Sequence, residues 1–233
     1  MCIVVKSSAQ FSDSIRHYLK FSSTGIVNKT NNSSSYVLSN GLNFNTLAKR
    51  MALNTSAGWV YGANQNSLTN NDLALHADLN FFKEKQKLYY WALANFDKSY
   101  SLKINYRWQT GAGISYNFID SPNIRINVSD GILYENGDIT DATNLRKKYS
   151  TPRNSFRLLY RWSYKDRFSI TGIHFYQPSL KDINDYVIQS SSNVSVKLYK
   201  WLSFTGSLLY NKVTSTKRET MLVTYGLTME KYF

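Results

Sequence analysis

Three histidines, one cysteine and a surplus of basic side chains are the groups in this 233-residue chain with reach toward chemistry. His76 stands two residues before Asp78 in "LALHADLNF", so an extended backbone puts both on one face, as an acid–base dyad would need. No nucleophile accompanies them, and the expectation is a hydrogen-bonded pair. Hydrolases that act on lipid from a barrel wall set a histidine beside a serine, with a third group orienting the imidazole. No histidine here is followed two places later by serine, His17 precedes the first strong strand pattern, and His174 lies in "GIHFYQPS", where alternation falters. Isolated histidines and the lone Cys2 lack metal-ligand spacing, and one cysteine closes no internal disulfide. Gly111 and Gly113 in "TGAGISY" precede no helix, so they read as relief of crowding or a bend in a strand, not as a phosphate cradle. The expectation is a protein without catalytic residues, metal or cofactor.

The basic residues carry more information. Formal net charge is +13 and the isoelectric point about 9.7. Lys103, Arg107, Arg125, Arg157, Arg161 and Lys197 all fall on the polar alternate positions of segments whose other face is aromatic or aliphatic. Gathered in a lumen, they would form a constriction that favours anions. The competing expectation is a set of internal braces to carboxylates such as Asp78, Asp130 and Glu230. Arg146, Lys147 and Lys148, with Lys212, Lys217 and Arg218, are expected in long surface loops, where they suit lipopolysaccharide phosphates. Nucleic acid is not an expected partner, because no recognition motif accompanies the charge.

Period-two segments must position these groups. "YVLSNGLNF" aligns Tyr36, Leu38, Leu42 and Phe44; "LYYWALANF" aligns Leu88, Tyr90, Ala92, Ala94 and Phe96; "FRLLYRWSY" aligns Phe156, Leu158, Tyr160, Trp162 and Tyr164. "SLKINYRWQ" adds Leu102, Ile104, Tyr106 and Trp108 on the same pattern. Continued to the end, the pattern predicts about twelve strands. Short connections near residues 49, 84, 120, 166 and 200 alternate with longer polar ones near 31, 67, 98, 136–153, 177–186 and 212–219. Mean hydropathy is −0.39, and no stretch approaches the roughly 20 apolar residues of a transmembrane helix. A soluble sandwich would bury the aromatic faces against a second sheet and would not need strands of about 9–11 residues. The fold class predicted is therefore all-β, a closed antiparallel transmembrane β-barrel of about twelve strands over residues 18–233. Residues 1–17 read as a residual leader, with cleavage expected near Ala9 or Gln10. Closure requires the last strand to pair with the first, since unpaired backbone groups in hydrocarbon cost several kcal/mol each.

The last strand, with Tyr225, Leu227, Met229 and Phe233 in register, resembles the assembly signal of outer-membrane barrels. "GIVNKTN", "NNDLAL", "YYWALANFDKSYSLKINYRWQTGAGISY" and "SDGILYE" resemble the YdiY-like salt-induced outer-membrane protein family, a domain of unknown function, across about residues 20–233. The resemblance implies a bacterial outer-membrane location, with the barrel-assembly machinery and outer-membrane lipids, lipopolysaccharide included, as partners. It brings no substrate or catalytic residue. The role expected is a structural or stress-related one in the envelope, then a narrow anion-preferring channel, then a lipid-acting enzyme. Deleting Phe233 should lower the yield of heat-modifiable folded barrel on gels, while a change at Phe11 should leave it unaltered; equal yields for the wild type and the truncated chain would remove the role given to that residue.

Overall fold

The computed structural model describes residues 16–29, 34–48, 50–65, 67–82, 87–141 and 143–232; Phe233 and residues 1–15, which carry most of the expected leader, lie outside them. In chain order the strands are β1 (His17–Lys29), β2 (Ser34–Ala48), β3 (Met51–Asn64), β4 (Ser67–Phe82), β5 (Leu88–Ser99), β6 (Ile104–Asp120) and β7 (Ile124–Thr140). They continue as β8 (Arg146–Asn154), β9 (Phe156–Tyr164), β10 (Phe168–Pro178), β11 (Tyr186–Tyr199), β12 (Leu202–Val213) and β13 (Arg218–Tyr232). β8 and β9 meet β7 in one unbroken register, Ile132 opposite Asn154 and Ser129 opposite Arg157, and they are parted only at Ser155. They form a single stave, so the architecture is a closed barrel of 12 antiparallel strands. β1 closes it against β13, from Tyr18 opposite Tyr232 to Thr24 opposite Gly226. His17 is the first residue of β1 and shares a 2.9 Å hydrogen bond with Thr46.

Alternation holds on most staves. Large apolar side chains such as Tyr90, Ile132, Tyr225 and Leu227 are exposed on the outer face. Aromatic pairs mark two levels of that face: Tyr116–Phe118, Trp162–Phe168 and Tyr199–Trp201 near the rim that holds the chain's ends, and Trp59–Tyr61 and Tyr176–Tyr186 toward the distal rim. These are the two interfacial girdles of a membrane barrel.

Two expectations are corrected. Residues 136–153 are not a long loop: β7 and β8 continue through them as a ladder from Ile132–Asn154 to Thr140–Arg146. The hairpin tip closes within residues 141–145, because the Asp141 carboxylate accepts bonds from the Thr143 hydroxyl at 2.6 Å, the Thr143 N–H at 2.8 Å and the Leu145 N–H at 3.0 Å. The Thr143 hydroxyl bond is the main reason the Asp141 carboxyl is held below the ordinary carboxylate range. Arg146, Lys147 and Lys148 therefore sit on a strand and not in a loop. Leu102 and Ile104, aligned with Trp108 by period two, do not share its outer face: Leu102 lies in the turn, the ladder shifts between Ile104 and Tyr106, and both side chains are buried.

Glycine is needed where the wall is most crowded. Trp91 turns inward, donates its indole N–H to the Ile114 carbonyl at 3.0 Å and lies over the cross-strand pair Gly113–Gly131. A Cβ at Gly113 would come within 2.2 Å of the Asp130 carbonyl and 2.5 Å of the Trp91 ring. Gly113→Val should therefore lower the unfolding free energy by about 1–3 kcal/mol in urea titrations of the detergent-folded barrel. Gly58→Ala, where an added Cβ meets nothing within 4 Å, should leave the midpoint unchanged.

Candidate functional site in the barrel lumen

Inward positions of β5–β10 build a polar interior whose distal half holds its charges in specific pairs. Arg107 on β6, 1 % exposed, pairs with Asp97 on β5 at 2.8 Å. Glu135 on β7 accepts bonds from Arg153 at 2.9 Å, Tyr149 at 2.7 Å and Gln109 at 2.6 Å. Arg153 also reaches the Asp185 carboxylate at 3.0 Å and the Gln177 carbonyl at 3.2 Å, tying β8 to β10 and to the connection before β11. Gln109 bonds Gln177 at 3.1 Å, a link that spans from β6 to β10. Arg153 and Glu135 are both fully buried. A charge at such depth is tolerated only when paired and hydrogen-bonded.

At the distal rim this network meets an apolar cluster. Ile104 and Ile139, a cross-strand pair on β6 and β7, pack with Val187 and Val213, a cross-strand pair on β11 and β12, together with Leu102 and half-buried Tyr149. The β8–β9 stave and β10 separate β7 from β11, so the cluster ties together parts of the wall that are not neighbours.

The basic residues singled out by sequence divide into three groups. Lys103 is not on a strand: it occupies the turn between β5 and β6 with a left-handed backbone, φ 56°, and its ammonium bonds Asn144. Arg107 belongs to the buried network, and Arg157 on β9 crosses the lumen to Asp78 on β4 at 3.2 Å. Arg125, Arg161 and Lys197 line the lumen toward the terminal rim; Arg125 and Arg161 are direct cross-strand partners on β7 and β9. The Arg161 guanidinium approaches the Pro122 carbonyl at 3.5 Å. Of the expected counter-charges, Glu230 faces Lys20 at 3.6 Å. Asp130 does not face the lumen: it lies outward, opposite Ile114, and accepts a bond from Asn154 at 2.8 Å. Its parity follows Ile132 and Tyr134, both exposed outward, so the assumed register was off by one face.

The histidines divide in the same way. Asp78 is occupied by Arg157, Asn54 and Asn80, not by His76. His174 faces outward on β10 and shares a 2.6 Å hydrogen bond with Ser190 on β11, its imidazole stacked on Tyr160. Among the described residues no group of three or more His, Cys, Asp or Glu is placed to hold a metal. Sequence reasoning missed Asp97, Gln109, Glu135, Tyr149, Arg153 and Gln177. For Glu135 a signal was present, since it continues the inward series Gly131, Leu133; Arg153 was hidden inside the supposed loop.

The chain belongs to the family described as protein of unknown function DUF481, which it matches over residues 22–229. No curated protein matches it in sequence. Its fold is similar to the translocator domain of autotransporter NalP from Neisseria meningitidis, with TM-score 0.55 and 10 % identity over 97 % of this chain and 91 % of that one. It is also similar to the NanC porin, with TM-score 0.56 and 7 % identity over 92 % and 99 % of the two chains. An outer-membrane channel from Pseudomonas putida F1 gives TM-score 0.53 and 11 % identity over 95 % and 97 %. The fold is that of outer-membrane β-barrels, shared by porins and autotransporter translocators.

Arg153→Met leaves Glu135 buried without its cation and should cost about 3–5 kcal/mol of unfolding free energy. Lys20→Gln, at a longer and more solvated pair, should cost no more than about 1 kcal/mol. Urea titrations followed by tryptophan fluorescence measure both.

Proposed function

We propose that this DUF481 barrel resides in the outer membrane of a Gram-negative bacterium as a non-catalytic envelope component whose lumen is braced and sealed on its outer side. The distal rim, onto which the hairpin of β7 and β8 extends, then faces outward, and the rim with the chain's ends faces the periplasm. The observation that carries the reading is the cluster of Ile104, Ile139, Val187 and Val213 joining β6 and β7 to β11 and β12 above the buried pairs Arg107–Asp97 and Arg153–Glu135. Ions do not cross an apolar constriction or a site whose charges are satisfied by one another. Arg146, Lys147 and Lys148 would stand at the lipopolysaccharide headgroups, and the outer face of β13, with Tyr225, Leu227 and Met229, would be the strand offered to the assembly machinery. A role without catalysis is supported by the committed state of Asp78 and by the setting of His174 and Ser190, whose neighbouring backbone donors lie in the β10–β11 ladder.

A second reading, a narrow anion-preferring channel, is favoured by one observation, the basic side chains Arg125, Arg161 and Lys197 toward the periplasmic mouth. Planar-bilayer recording separates the two. A sealed barrel should pass almost no current, and replacing Ile139 and Val213 together by serine should raise conductance by loosening the seal. A channel should conduct as the wild type, favour chloride over potassium and lose part of that preference in Arg125→Gln/Arg157→Gln. Steady wild-type current with cation preference would contradict both.

A further inference from the structure

The outer wall carries two polar groups, inside the band bounded by the girdles, that its apolar pattern does not explain. Asp130 on β7 is exposed on that face, between Val128 and Ile132, with Tyr134 further toward the distal rim. Asn154 donates to one of its oxygens at 2.8 Å, and among the described residues no basic nitrogen pairs with it within 4.0 Å. His174 on β10 shares the outward face with Phe168 and Tyr176, one in each girdle. Its Nδ1 shares a 2.6 Å hydrogen bond with the Ser190 hydroxyl, and the Tyr160 ring stacks on the imidazole. Nε2 is the nitrogen left for a second partner. A carboxylate and an imidazole that face hydrocarbon are costly, and a lipid acyl chain offers neither a donor nor an acceptor.

Their placement makes the two groups complementary. Each is the seventh residue of a strand that rises from the terminal rim, Asp130 on β7 from Ile124 and His174 on β10 from Phe168, so they stand at similar height in the bilayer. Only β9 lies between, where Leu158 pairs with Val128 on one side and with His174 on the other. At about 4.8 Å per strand step the two groups are about 10 Å apart around the wall, too far to meet within one chain. A two-fold axis along the membrane normal, passing beside Phe156 and Leu158, brings Asp130 of one copy onto His174 of the other, and symmetry supplies the reverse contact. The side chains beside that axis are apolar, with Phe156 exposed.

We propose that the outer face of β7, β9 and β10 is the interface of a parallel, two-fold symmetric dimer of this chain within the membrane. Asp130 of each copy accepts a hydrogen bond from Nε2 of His174 on the other. The Ser190 hydroxyl then donates to Nδ1, which keeps the proton on Nε2. Bonds to an ionised acceptor are stronger than neutral ones, and here Phe156 and Leu158 exclude water and lipid from them. The inference rests on the barrel lying in lipid and is independent of whether its lumen conducts.

Phe156→Cys in a Cys2→Ser background tests the interface, because side chains beside a two-fold axis approach their own copies. In heat-modifiable barrel reconstituted in phospholipid bilayers, mild oxidation should yield a disulfide-linked species of twice the chain mass. Leu42→Cys, exposed on β2 and six staves from β9 in either direction around the wall, should stay monomeric. Energy transfer between labelled copies, followed as lipid dilutes the protein, measures the dimer's dissociation constant. Asp130→Leu and His174→Leu should each raise it by about tenfold. Exchanging the pair, Asp130→His/His174→Asp, should recover most of the loss, which a change in packing alone would not do. A Phe156→Cys barrel that stays monomeric, equal cross-linking at Leu42→Cys, an unchanged dissociation constant in both single variants, or no recovery on exchange would each overturn the interface.

Discussion

Every backbone N–H and C=O that a strand carries into hydrocarbon must find a partner within the sheet, and this requirement orders the rest of the molecule. A sheet with two edges leaves two rows of unsatisfied groups, each worth several kcal/mol in lipid. The pairing of β1 with β13, from Tyr18–Tyr232 to Thr24–Gly226, removes both edges at once. Closure then dictates side-chain fate, because alternate residues on every stave must point inward whether or not the interior suits them. The outer face is solved by apolar and aromatic side chains. The inner face has no water-free solution except mutual satisfaction, and the Arg153–Glu135–Tyr149–Gln109 network is that solution.

Buried ion pairs of this kind contribute little net stability against an apolar substitute, since desolvation consumes most of the Coulombic gain. Their effect here is on register. Arg153 contacts Glu135 on β7, the Gln177 carbonyl on β10 and Asp185 before β11, so a one-residue slip of β8 would strand a guanidinium and a carboxylate together. A slip also exchanges the faces of a whole strand, which would bring Arg153 into lipid. The network and the girdles therefore select the same alignment from opposite sides of the wall.

Strand number, strand direction and the terminal-rim turns were legible, because period two and turn chemistry are local. Connections expected near 49, 84, 120, 166 and 200 match the breaks between β2 and β3, β4 and β5, β6 and β7, β9 and β10, and β11 and β12. What was not legible is either irregular or long-range. The ladder shift between Ile104 and Tyr106 sent Leu102 and Ile104 into the seal, and a bulge has no period to betray it. The hairpin of β7 and β8 was hidden because its exposed end carries polar side chains on both faces, as a strand projecting beyond lipid does. Arg157 and Asp78 meet across 79 positions of sequence, and the face of each was readable while their partnership was not. Asp130 misled for a different reason: a carboxylate on the outer wall, held by Asn154, breaks the rule by which faces are assigned.

The interior is polar in a second sense, along the barrel axis. At the distal end, charges are paired and capped by Ile104, Ile139, Val187 and Val213, so that end is finished by the chain's own side chains. At the other end Arg125 and Arg161 face one another across β7 and β9, a like-charge pair that the distal half of the lumen does not contain. The same fixed charge would be easily neutralised by one glutamate on β9 or β10, and Thr171, which pairs with Arg161 on β10, occupies an inward position where a glutamate could stand. A wall whose ion pairs are packed under aliphatic side chains at one end and whose arginines stand opposite each other at the other gives the lumen two chemically different ends.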